Sequence, residues 1–187
     1  EVDYIDGLSP AISIDQKSTS RNPRSTVGTV TEIYDYLRLL FARIGQQHCV
    51  QCSDIIKKHT PQDIAEYITT LPDRTKLIIM SPIARKKKHN FKPILQTYLK
   101  EGFIRARING KIEDIATIYE KMSSRKQYTI EIVIDRIVTK ENIYDRLIQS
   151  LELAYKVGKG SLIINQDDTD YSYSENLYCF KDDIEYR

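Results

Sequence analysis

At 187 residues the chain has room for one medium domain or two small ones, and its 41% hydrophobic and 29% charged content is that of an ordinary globular protein. The balance of 28 Lys and Arg against 26 Asp and Glu leaves only +2, so net charge selects no class of partner, although local clusters can still bind an acidic one. No apolar run approaches the roughly 20 residues of a membrane span, Glu1-Val2-Asp3 is no signal-peptide start, and three cysteines do not make a disulfide framework; a cytoplasmic, reduced chain is expected.

In chain order, Ala11 to Asp15 reads as a short strand ending at Gln16, and a hinge rich in Ser, Thr and Arg follows, with Asn22-Pro23 and Gly28 as turn residues. The opening without an initiator Met reads as that of a piece of something larger. Thr31 to Ile44 spaces Ile33, Leu37, Leu40, Phe41 and Ile44 as an amphipathic helix capped by Thr31 and stopped by Gly45. Thr60-Pro61 announces a second helix with Ile64, Tyr67, Ile68 and Leu71 as its buried stripe.

Thr75 to Met80 reads as a buried strand, Arg85 to His89 as a basic loop, and Phe91 to Lys100 as a helix stopped by Gly102. In Phe103 to Ile108 alternation puts Ile104, Ala106 and Ile108 on one face and Arg105 with Arg107 on the other; Asn109-Gly110 then turns a hairpin into Lys111 to Ile115. Tyr128 to Val138 alternates as a strand with Ile130, Ile132, Ile134 and then Arg136 on the apolar face. Glu141 to Val157 is an amphipathic helix stopped by Gly158, and Ser161 to Asn165 a further strand. This irregular alternation with one hairpin predicts an α+β or mixed α/β fold, a small mixed sheet with flanking helices and no internal repeat.

Cys49-Val-Gln-Cys52 has the knuckle spacing that lets two thiolates meet one tetrahedral metal, zinc above all. Two more ligands are needed. His59 and His89 are the expected pair, with His48 or Cys179 as substitutes; a knuckle without metal and a redox pair are the alternatives. Arg85 to Lys88 can neutralise phosphates or form a solvated loop. Arg105 and Arg107 present guanidinium forks on a rigid strand, suited to carboxylates or phosphates. No nucleophile, acid and base fall into a catalytic constellation, and no phosphate loop of the form G-x-x-x-x-G-K-[ST] is present.

The run DGLSPAISIDQKSTSRNPRSTVGTVTEIYDYLRLLFARIG, followed by HCVQC, resembles the signature segment of the UvrA family, the damage-recognition ATPases of bacterial nucleotide excision repair. FIRARING and YTIEIVIDRI resemble strands of the UvrA region that docks UvrB. The resemblance implies that residues 1–52 are a piece of the first ABC ATPase domain, 53–178 an inserted UvrB-binding domain, and 179–187 the return toward the ATPase. It implies that Gln16 is the Q-loop glutamine that reads ATP and Mg, that Arg105, Arg107 and Arg136 meet an acidic UvrB surface, and that the parent is a homodimeric, DNA-binding ATPase. The chain itself, without phosphate loop or magnesium-binding strand, is expected to hydrolyse nothing. The sequence departs from the family at Cys179-Phe-Lys-Asp182, where UvrA proteins commonly carry a second Cys-x-x-Cys. A basic nucleic-acid-binding module and a metal-binding domain built on Cys49 and Cys52 are the rival readings.

Overall fold

The computed structural model describes residues 31–186, so Gln16, the strand expected before it and the polar hinge lie outside the described residues. The chain divides at Gln46–Gln47 into two compact units. Of the first, helix α1 (Ile33–Ile44) is described; it starts after Glu32 and ends where the Gly45 amide bonds the Phe41 carbonyl. Its apolar stripe of Ile33, Leu37, Leu40, Phe41 and Ile44 is exposed throughout.

The second unit is α+β, built on a six-stranded antiparallel sheet in the order β3-β2-β4-β1-β5-β6. Its elements are α2 (Pro61–Thr69), β1 (Lys76–Lys88), α3 (Lys92–Lys100), β2 (Arg105–Ile108), β3 (Lys111–Asp114), α4 (Ile115–Ile118), β4 (Gln127–Val138), α5 (Tyr144–Val157), β5 (Ser161–Gln166) and β6 (Thr169–Ser174). A separate two-stranded hairpin, β7 (Leu177–Cys179) and β8 (Ile184–Tyr186), closes the chain.

Local chemistry accounts for most boundaries. Thr60 and Asp63 form a reciprocal capping box and Pro61 takes the first helical position, so α2 begins where expected. Its buried residues are Ile64, Ala65 and Ile68, whereas Tyr67 points outward. Asn109 and Gly110 both adopt positive φ, as a tight two-residue hairpin demands.

Two expectations fail for one reason, the pairing of β1 with β4. The basic segment is not a loop: β1 runs on through Lys88, because β4 offers partners as far as Gln127. Pro82 is accommodated beside a register shift, where a missing amide is least costly. In β4 the register steps from Val133↔Met80 to Asp135↔Ile79, leaving Ile134 as an extra residue. A bulge of this kind turns the strand over. Before it Ile130 and Ile132 face the core; after it Ile137 does, Asp135 meets Arg146 and Ser150 of α5, and Arg136 is exposed instead of continuing the apolar face.

Two buried clusters line the helical side of the sheet. One joins α2 and α5 to Leu77, Ile79, Ile137, Leu162 and Ile164; the other joins Phe91 and Leu95 to Ala106, Ile108, Ile115, Ile130 and Ile132, and Ile134 packs against both. Ile104 lies outside β2 and is exposed, not on the shared apolar face.

Candidate functional site

The opposite side of the sheet carries the charged residues. Alternation along β2 places Arg107 there, opposite Glu131 of β4. Arg107 donates from Nε and Nη2 to both oxygens of Glu131, at 3.0 and 3.2 Å, and from Nη1 and Nη2 to both oxygens of Asp170, at 2.9 and 2.7 Å. Its side chain keeps 12% of its exposure and that of Glu131 8%. Hydrogen bonds from Arg107, ahead of that from Asn165, hold the Asp170 carboxyl below the usual carboxylate range. Both forks of the guanidinium are spent inside the molecule, and that leaves no free fork for an external carboxylate.

Arg105 and Arg136 differ from it. Arg105 touches Asp114 at only 3.5 Å with both side chains about half exposed. Arg136 is exposed, and among the described residues it has no ion pair. The two line one shallow depression with Phe103, Ile104 and Val133. The bulge at Ile134 brings Arg136 to this edge, so the arrangement was not legible from period-two alternation.

A second cluster lies beneath the β7–β8 hairpin. Cys49, Cys52, Cys179 and Asp182 bring one donor atom each within 4.8 Å of all the others. Cys52 Sγ and Cys179 Sγ are 3.5 Å apart, and the Cys49 thiol donates to Asp182 Oδ2 at 3.1 Å. A tetrahedral zinc with bonds near 2.3 Å sets its ligands about 3.7 Å apart, so these separations fit. Asp182 accepts hydrogen bonds from Cys52 and Cys49, which keep its carboxyl below the ordinary range, while the same carboxylate pushes the Cys52 thiol up. The Tyr186 hydroxyl donates to Cys49 Sγ at 3.2 Å.

The expected histidines stand elsewhere. His59 packs edge-on against Tyr173, and His89 against Phe91; neither belongs to the four-residue group. Cys179, expected only as a substitute, is there instead, and Asp182 was missed as a ligand. The signal that could have found it was the i, i+3 spacing of Cys179 and Asp182, which repeats the knuckle with a carboxylate in place of a thiolate.

A family model described as the UvrA interaction domain matches residues 59–168. The chain is similar to UvrABC system protein A of Clostridium tetani, 49% identical over 180 residues, to that of Clostridium perfringens at 47%, and to that of Streptococcus pneumoniae at 46%. Each alignment covers 96% of this chain and 19% of the relative, so the chain spans about a fifth of the length of the curated relatives it matches. Among the described residues no helix is long and apolar enough to cross a membrane.

Proposed function

Because the chain belongs to the UvrA family, we propose that its sheet domain docks UvrB through the edge formed by Arg105 and Arg136, within a parent that binds DNA, hydrolyses ATP with Mg and dimerises. The observation that carries this reading is that two exposed guanidiniums, Arg105 in a half-exposed contact with Asp114 and Arg136 without an ion pair among the described residues, share one depression with an exposed Ile104. Cations around an apolar anchor suit an acidic partner: the charges set orientation and on-rate, and Ile104 supplies desolvated contact. Arg107 serves the docking edge from behind. Its four hydrogen bonds fix β2 against β4 and β6, and so hold Arg105 in place.

In this reading residues 1–52 belong to the first ATPase half and Gln16 reads the nucleotide, while 53–178 form the inserted docking domain and 179–187 return toward the ATPase. Titration of UvrB with the double variant Arg105→Glu, Arg136→Glu tests the docking edge. Loss of binding by a folded variant is the expected result, and undiminished affinity would place the interface elsewhere.

The thiol cluster supports a second role, a structural zinc centre. Cys49, Cys52, Cys179 and Asp182 would hold the ion, and three thiolates with one carboxylate are a donor set zinc accepts. Four protein ligands leave no open position for catalysis, so the metal would supply a cross-link between the knuckle and the β7–β8 hairpin, 127 residues apart at Cys52 and Cys179.

A further inference from the structure

The far end of the β1–β4 ribbon carries a charge pattern that the docking reading does not use. Register pairs Lys87 with Tyr128 and Lys88 with Gln127, which brings Arg85, Lys86, Lys87 and Lys88 beside Arg125 and Lys126 of the preceding turn. All six are exposed. Among the described residues none of the six has an ion pair. The two carboxylates that line the adjoining cavity together with Arg85 and Lys87, Glu131 and Asp183, are engaged by Arg107 and by the Tyr178 hydroxyl. In a chain whose net charge is +2, this is strong segregation.

The backbone is shaped to present these side chains. Between Ala84↔Ile130 and Lys87↔Tyr128 β1 carries one extra residue, and Lys86 sits at φ 47° with its amide bonded to Thr129 Oγ1. The left-handed region is unfavourable for a lysine, and the bulge turns the run so that its cations spread around the ribbon and not along one face. The turn opposite is pinned as well: the Ser123 amide donates to the Tyr128 hydroxyl, and the Lys126 amide to the Ser123 carbonyl.

We propose that this end of the ribbon grips the sugar-phosphate backbone of duplex DNA. Four ammonium groups and two guanidiniums around a two-stranded ribbon match a surface that bears a negative charge about every 1.7 Å. The neighbouring aromatics are buried or half-buried, Phe91 at 4% exposure, so the apolar anchor a protein interface needs is missing here. Contacts of this kind position without reading sequence. Arg136 lies eight residues along β4 from Tyr128, roughly 26 Å away, so DNA and a protein partner can be held together.

The test is fluorescence anisotropy of a labelled 30-base-pair duplex titrated with the whole chain between about 50 and 200 mM salt. The native chain should bind with log K falling against log salt with a slope of about −3 to −5. The variant Lys86→Gln, Lys87→Gln, Lys88→Gln, Lys126→Gln should lose at least about tenfold in affinity and most of that slope. Lys86→Gly, which suits the left-handed backbone and so keeps the fold, should reduce the slope by about 1. The docking variant Arg105→Glu, Arg136→Glu should bind the duplex as the native chain does, which separates failure here from failure of the docking edge. Absence of salt-dependent binding, unchanged binding by Lys86→Gly, or competition by poly-glutamate equal per charge to that by unlabelled duplex would each overturn the proposal.

Discussion

Arg107 and Asp170 meet through two hydrogen bonds of 2.9 and 2.7 Å, although three strands separate β2 from β6 in the sheet order. In a flat sheet four strand spacings would hold them roughly 19 Å apart. The sheet is therefore curled, and the ion pair ties its two flanks across the open side. The bulges along β1 and β4 supply that curl, since each adds a bend and local twist.

Arg107 and Arg105 should accordingly behave in opposite ways. Arg107→Ala leaves Glu131 buried without its partner and should cost about 3 kcal/mol in urea denaturation. Arg105→Ala removes a half-exposed contact and should stay within about 0.5 kcal/mol. Equal losses would show that burial does not separate the two.

Stability should fall on acidification in a way that depends on Asp170. Its folded pKa lies below the ordinary value of 3.8 because Arg107 bonds the charged form. The stabilisation it brings is thus complete above about pH 4 and is lost as pH falls through the folded pKa. Asp170→Asn should be less stable than the native chain at pH 6 and approach it at the acid end of the curve, and thermal melts across that range check the convergence.

Metal content should follow the tertiary cluster and not the histidines. Elemental analysis should find about one zinc per chain, lost in Cys179→Ala and retained in His59→Ala and His89→Ala. Asp182→Cys, which completes a four-thiolate set, should hold zinc against a higher chelator concentration than the native chain does. Chelation should lower the melting temperature of the native protein, because binding energy at such a site is folding energy.

The cap of α2 offers a purely local test. Thr60→Ala removes the side-chain acceptor of the Asp63 amide and half of the capping box. The melting temperature should drop by about 3 °C with docking unaffected.

Sequence alone determined the parts of this protein that are set by neighbours in the chain. Thr60-Pro61 fixed the start of α2, Asn109-Gly110 the tight hairpin, and the alternation of Ile130 and Ile132 the core face of β4, because caps, positive-φ turns and side-chain period are local properties. Only the tertiary structure decided where those residues meet. The extra residue Ile134 reversed Arg136, the curl of the sheet drew Arg107 onto Asp170, and β7–β8 brought Cys179 and Asp182 to the knuckle in place of His59 and His89. Bulges and long-range closure depend on register with a partner strand, and a single strand's own sequence does not contain that register.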